Sequence, residues 1–179
     1  MIGHARLLGM LTLVVGMAVS WLPEAGGYSS GSPDNPNCST CHVGGTAPSV
    51  SFLSNSAAVT SLAVPRGSRV PLTLRVKSNN PAQRSAGFNV TSPNSAVTLS
   101  LGAGSGMKII PPGELTHTSR RANDANGIAD FTFNITATAA ASCGSVSALK
   151  GQGLSASGNG GVSGARSALT TLVITVTCP

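Results

Sequence analysis

Apolar and polar residues alternate with a period of two along several stretches of this chain. Residues 69–76 carry Val or Leu at every second position, and residues 128–138 carry Phe or Ile at positions 131, 133 and 135. Such alternation predicts β-strands with one buried face. Strands rich in β-branched residues are predicted at Val50–Leu53, Arg69–Val76, Gly87–Thr91, Ala96–Leu101, Lys108–Ile110, Ile128–Thr138, Ser145–Leu149 and Leu169–Thr177. From residue 43 onward, no segment shows the 3.6-residue period of an amphipathic helix.

Clusters of Gly, Pro, Asn and Asp separate these predicted strands. Pro65–Gly67, Asn79–Pro81 and Pro111–Gly113 are examples. Seven or eight short strands with such turn signals are typical of two packed sheets. The predicted fold class is therefore all-β, an antiparallel immunoglobulin-like β-sandwich that follows an N-terminal, loop-rich segment.

The first twenty residues have the pattern of an export signal. His4 and Arg6 precede an apolar run from Leu7 to Val19, which is too short and too rich in glycine to predict a membrane span. Ala18-Val19-Ser20 fits a cleavage site; a later cut after Ala25 and an uncleaved anchor are the alternatives. The predicted divisions are a signal peptide at 1–20 (or 1–25), a haem-attachment segment at 26–48 and a β-sandwich at 49–179. We expect a periplasmic or extracellular protein whose mature chain has no transmembrane segment.

The composition argues against two classes of function, nucleic-acid binding and catalysis. Charged residues make up 9% of the chain and aromatic residues 3%, and the formal net charge is +6. The basic residues are scattered, apart from Arg120-Arg121, and form no stripe of the kind that binds nucleic acid. With few carboxylates and two histidines after the signal segment, no catalytic set can be assembled. We therefore expect neither a nucleic-acid-binding protein nor an enzyme.

Cys38-Ser39-Thr40-Cys41-His42 has the C-x-x-C-H form that marks covalent attachment of a c-type haem. Cys38 and Cys41 can add to the two haem vinyl groups as thioethers, and His42 can then bind the iron as the proximal ligand. Export agrees with this interpretation, because covalent haem attachment happens outside the bacterial cytoplasm. One covalent haem c is the expected cofactor.

Three other interpretations compete for the same motif. A thiol–disulfide redox pair belongs at a helix N-terminus near a βαβ pattern, which this sequence lacks. A zinc site needs four ligands, and no second Cys or His pair at short spacing supplies them. A plain disulfide between Cys38 and Cys41 leaves His42 unexplained.

Cys143 and Cys178 remain once the motif has taken its pair. In an oxidising compartment they are most simply a disulfide. It would close a loop of about 35 residues and stabilise the fold by about 3–4 kcal/mol. Two free thiols, or a ligand role for Cys143, are the alternatives.

The second axial position of the iron has three candidate occupants. His117 is the only other histidine after the signal segment, in a stretch that reads as a loop beside a strand. Met107 is the alternative, and an open or water-bound iron is the third. His/His ligation would leave the reduction potential low, whereas Met/His ligation raises it. An exposed loop histidine without such a role is the competing interpretation of His117.

Five strings of the sequence carry a family resemblance. They are "CSTCHVGG" at 38–45, "GFNV" at 87–90, "ELTHTS" at 114–119, "FTFNI" at 131–135 and "GNGGVSGA" at 158–165. Together they resemble a family of secreted bacterial proteins with one C-x-x-C-H motif ahead of a Reelin-N-terminal-like (Reeler-like) β-sandwich. A "THT" element recurs in that family, which implies a distal-ligand role for His117. Some members carry cell-surface sorting tails, and this sequence departs from that pattern.

The expected function is that of an exported monohaem c-type cytochrome that transfers electrons. Its expected partners are redox proteins, or stacked copies of itself. A cell-surface structural or adhesive module is one alternative. A haem-based gas sensor is another, and it would need an open or weakly held sixth position.

Overall fold

The computed structural model describes residues 42–102, 106–158 and 163–178. Within these ranges the chain forms strands and no helix. The strands are β1 Val43–Gly44, β2 Ser49–Ser54, β3 Ala57–Val59, β4 Ser61–Pro65, β5 Arg69–Lys77, β6 Ser85–Thr91, β7 Val97–Leu101, β8 Met107–Ile110, β9 Glu114–His117, β10 Arg121–Ala122, β11 Ile128–Ala137, β12 Val146–Ala156 and β13 Ser163–Thr177. Over the described part of the chain, no helix is long and apolar enough to cross a membrane.

The strands form two sheets. Sheet I has the order β1-β13-β12-β6-β9-β8, with β10 also paired to β6 and β4 also paired to β13. Sheet II has the order β3-β2-β5-β11-β7. The all-β sandwich is confirmed. Its sheets are not purely antiparallel, however, because β1 and β4 both run parallel to β13.

The core lies between the two sheets, on the faces that the alternation predicted. Leu72 and Leu74 of β5 and Phe133 and Ile135 of β11 are fully buried. The two strands pair so that Phe133 lies opposite Leu72. Burying a side chain of this size contributes about 1.5–3 kcal/mol, so these two central strands supply much of the core.

β12 and β13 are longer than the sequence pattern predicted. The two strands pair continuously from Val146 opposite Thr175 to Ser155 opposite Arg166. The prediction ended β12 at Leu149, because the following Gly and Ser residues hide the strand signal. The resulting long hairpin forms the middle of sheet I.

Glycine in β12 has a packing role. A Cβ on Gly151 would lie 2.6 Å from Cζ of Phe52 and 2.7 Å from Cδ1 of Leu74. Both neighbours are fully buried side chains of sheet II. The missing side chain therefore makes room for large residues of the opposite sheet.

The Cys143–Cys178 disulfide is present. It joins the turn before β12 to the residue that follows β13, with 5.5 Å between the two Cα atoms and 35 residues of sequence separation. The Gly144 N–H donates to the Val176 carbonyl at 2.8 Å, which extends the backbone ladder to the bridge. The predicted pairing of these two cysteines is confirmed.

Candidate functional site

The two predicted thioether cysteines, Cys38 and Cys41, lie outside the described residues. Their attachment to haem therefore stays a prediction. The predicted proximal ligand, His42, is the first residue that the structure describes, and it leads directly into β1.

The segment after His42 is held close to one end of sheet I. β1 pairs in parallel with the start of β13. A Cβ on Gly45 would come within 2.6 Å of the side-chain nitrogen of Gln83 and 2.8 Å of the carbonyl carbon of Ala165. Only glycine fits at this position without moving the backbone, so the chain that carries His42 lies directly against the sheet.

Gln83 fastens the same segment by hydrogen bonds. It is only 3% exposed. Its Oε1 accepts from the Thr46 N–H at 3.2 Å, and its Nε2 donates to the Ser155 carbonyl at 2.8 Å. Nothing in the sequence marks Gln83 for this role, because it lies in the loop before β6 and meets the motif segment only in the folded chain.

His117 lies at the end of β9, where the sequence predicted a loop. β9 pairs with residues 89–91 of β6, and β10 pairs with residues 85–86 of the same strand. Between them, Gly87 and Phe88 have no strand partner on this edge within the described chain. We call these two residues the ladder gap.

The imidazole of His117 fills the ladder gap. Its Nδ1 lies 2.9 Å from the carbonyl oxygen of Phe88 and 3.1 Å from the nitrogen of Phe88. A protonated Nδ1 donates to the carbonyl, whereas an unprotonated Nδ1 accepts from the N–H. Thr116 Oγ1 donates to the same carbonyl at 3.0 Å. The side chains of Thr116 and His117 thus bond to the β6 backbone at residues where neither β9 nor β10 pairs with β6.

The surroundings of both histidines lower their pKa values below the ordinary value. Burial lowers the pKa of His42, and the charge of His117 lowers it further. Burial also lowers the pKa of His117; the hydrogen bond with the Phe88 carbonyl opposes this shift, and Lys108 adds to it. Both imidazoles therefore favour the neutral form, which is the form that binds a metal.

The Nδ1 atom of His42 is buried and has no hydrogen-bond partner among the described residues. Buried polar atoms are nearly always paired with protein or ordered water, so an exception calls for an explanation. His117 differs, because its Nδ1 is engaged with Phe88 and its Nε2 is the remaining ring nitrogen. Of the two rings, only that of His117 is fixed to the sheet by a hydrogen bond that the structure describes.

Met107, the alternative axial ligand, lies directly opposite His117 in the β8–β9 pairing. Its side chain packs against the hydrophobic core. Packing alone therefore accounts for the position of Met107, whereas the position of His117 depends on its ring nitrogen. The choice between His117 and Met107 as the second iron ligand stays a prediction.

The β6–β9 pairing joins two of the strings on which the family resemblance rests. Val90 lies opposite Leu115 in the core, and Asn89 donates a hydrogen bond to the buried carboxylate of Glu114. The second oxygen of Glu114 has no partner within the described ranges. The sequence did not predict the roles of Asn89 and Glu114; the only signal was that both residues lie in strings on which the family resemblance rests.

No group of three or more His, Cys, Asp or Glu side chains is placed to hold a metal ion in the part of the chain that the structure describes. Those residues therefore build no site of protein ligands alone.

Comparison with solved structures identifies folds of the same kind. The major pilin subunit BcpA of Bacillus cereus is 9% identical with a TM-score of 0.51, and the match covers 73% of this chain. The chain spans only 40% of the length of that pilin subunit. The AggA subunit of aggregative adherence fimbriae from Escherichia coli is 12% identical with a TM-score of 0.43, over 77% of this chain and 99% of AggA.

These similarities bear on the fold alone. The identities are too low to show more, and the TM-score of the AggA match is too low to carry an argument. None of them lends support to electron transfer. No protein-family model matches the chain, and no curated protein is similar to it in sequence.

Proposed function

We propose that this protein is an exported β-sandwich module that carries one covalent haem c and transfers electrons. The observation that carries the proposal is the buried Nδ1 atom of His42, the histidine of the C-x-x-C-H motif, which has no hydrogen-bond partner among the described residues. No other histidine follows the signal segment, so the proposed axial pair uses every histidine available.

The described residues fit a haem in their donor chemistry. His42 keeps a buried ring nitrogen without a partner in the described chain. His117 has its Nδ1 on the Phe88 carbonyl, which is the outer contact that metal-bound histidines commonly make. Both imidazoles favour the neutral form, as an iron ligand must.

When bound, haem supplies one-electron chemistry at iron, and the chain's own residues determine how it is held. Cys38 and Cys41 would hold the haem covalently, and His42 and His117 would bind its iron. Two imidazole ligands would keep the reduction potential low in comparison with a Met/His pair. Gln83 and the ladder gap fix the two histidine-bearing segments to the same sheet.

Mass and absorption spectra of the exported protein test this proposal. We expect a mass gain of one haem and a Soret band that survives denaturation, because the attachment is covalent. A double variant, Cys38→Ala with Cys41→Ala, should lose both signals while the Cys143–Cys178 disulfide persists. Exported parent protein from a host competent in c-type haem attachment that shows neither signal would overturn the proposal.

A cell-surface structural or adhesive module is the second candidate function. The fold shared with a pilin subunit supports this candidate, whereas electron transfer is proposed from the motif and the histidines and has no support from the comparisons. The sandwich would then bind protein partners or further copies of the chain, and the motif would contribute to stability. If the exported parent protein carries no haem and the Cys38→Ala, Cys41→Ala variant self-associates as the parent does, the results support this candidate and contradict electron transfer.

Both candidates imply a periplasmic or extracellular location. The Cys143–Cys178 disulfide supports this, because structural disulfides persist in oxidising compartments. Cell fractionation checks it: the protein should leave the cytoplasm and retain an oxidised bridge. A reduced, cytoplasmic protein would contradict both candidates.

A further inference from the structure

Gly87 lies in the ladder gap, directly beneath the ring of His117. A Cβ on Gly87 would lie 2.6 Å from Cε1, 2.8 Å from Nε2 and 3.2 Å from Nδ1 of His117. Favourable separations between non-bonded carbon atoms are about 3.5–4.0 Å. Any side chain at position 87 would therefore push the imidazole out of the ladder gap.

A side chain at position 87 would clash with the imidazole ring of His117, at the end of a side chain, and not with backbone atoms. Gly45 gives the contrast, because a Cβ there would meet the backbone of Gly164 and Ala165 at 2.9 and 2.8 Å. A methyl group on Gly87 can be accommodated by rotation of the His117 ring, without movement of β6. Substitution at Gly87 is thus a selective way to displace the ring.

We propose that Gly87 is a positioning residue of the haem site. Because it has no side chain, His117 can lie in the ladder gap with Nδ1 donating to the Phe88 carbonyl. The lone pair of the neutral ring is then on Nε2, which becomes the nitrogen that faces the iron. This inference rests on the proposed haem function and adds a residue to it.

The position of the ring also bears on the choice between electron transfer and gas sensing. The contact with Phe88 restricts rotation of His117, and Gly87 gives the ring a fixed surface to lie on. An axial ligand held in this way keeps the sixth position of the iron occupied. A sensor needs that position open, so the ladder gap favours electron transfer.

Gly87→Ala tests the inference, with Gly151→Ala as the matched control. Each substitution adds one methyl group to a central strand of sheet I, against His117 in one case and against the core residues Phe52 and Leu74 in the other. We expect Gly87→Ala to keep its covalent haem, to lose the six-coordinate spectrum of the parent and to bind carbon monoxide rapidly when reduced. Gly151→Ala should lower stability and keep the parent spectrum.

A Gly87→Ala protein with the spectrum and the carbon monoxide reactivity of a six-coordinate parent would overturn the inference and leave the haem function standing. The placement of the ring can also be measured without haem, in the Cys38→Ala, Cys41→Ala variant. We expect NMR cross-peaks between the α-protons of Gly87 and the His117 ring, with ¹⁵N shifts of a ring protonated on Nδ1. Their absence would overturn the inference even if the parent protein carries no haem.

Discussion

The backbone hydrogen bonds of sheet I continue up to the disulfide but are interrupted at the ladder gap. Beside Cys143–Cys178 the backbone ladder continues to the bridge, with the Gly144 N–H bonded to the Val176 carbonyl at 2.8 Å. At the ladder gap the backbone pairing stops, and the imidazole of His117 takes its place. The first region is closed by a covalent bond and a backbone hydrogen bond. The second is closed by the side chains of Thr116 and His117, and the proposed haem site lies there.

The largest effect should come from removing the disulfide. In a double variant, Cys143→Ala with Cys178→Ala, we expect the free energy of unfolding to fall by about 3–4 kcal/mol, because the bridge no longer restricts the unfolded chain. Denaturant unfolding measures this. The absorption spectrum of bound haem should not change; a shifted spectrum would show that the two regions are coupled.

Next in size is Gly151→Ala in the core beneath sheet I. The added methyl group would contact Phe52 and Leu74 at 2.6 and 2.7 Å, and overpacking of this kind typically costs about 1–3 kcal/mol. Thermal unfolding at matched pH measures the loss. A variant as stable as the parent would mean that the sheets can separate to accept the methyl group.

His117→Ala should have a smaller effect on stability than on the site. The Phe88 carbonyl keeps its bond from Thr116 Oγ1, so the loss should be that of about one hydrogen bond, roughly 0.5–1.5 kcal/mol. Denaturant unfolding of the haem-free Cys38→Ala, Cys41→Ala background isolates this contribution. A loss as large as that of the disulfide variant would make His117 a mainly structural residue.

The smallest effect should come from the ion pair on sheet II, which lies in neither region. Arg75 and Asp130 are bonded at 2.7 Å, but their side chains are 36% and 38% exposed. Solvent-exposed pairs contribute about 0.2–1 kcal/mol and are weakened by salt. Asp130→Asn should therefore change stability slightly at low salt and less at high salt. Any effect on the haem spectrum would contradict the separation of this surface from the site.

Much of sheet II could be predicted from the sequence, because its central strands alternate between large apolar and polar residues. Leu72 of β5 and Phe133 of β11 are buried as that alternation requires. The second half of β12 could not be predicted, since Gly151 and Gly153 have no side chain to mark a buried face. Its identity as a strand depends on residues of the opposite sheet that fill the space.

The candidate site likewise has one part that the sequence indicates and another that only the folded chain brings together. The role proposed for His42 comes from adjacent residues of one motif and stays a prediction. The position of His117 could not be predicted, because it depends on where two neighbouring strands stop pairing with β6. Gly87 was missed for the same reason: only the folded chain brings it beneath the ring of His117.

The most direct test of the proposed haem site is the ferric low-spin spectrum of His117→Ala beside that of Met107→Ala and the parent. We expect a bis-imidazole spectrum in the parent, its loss in His117→Ala and its retention in Met107→Ala. A haem-containing His117→Ala protein with an unchanged spectrum would remove His117 from the iron and contradict the proposed site.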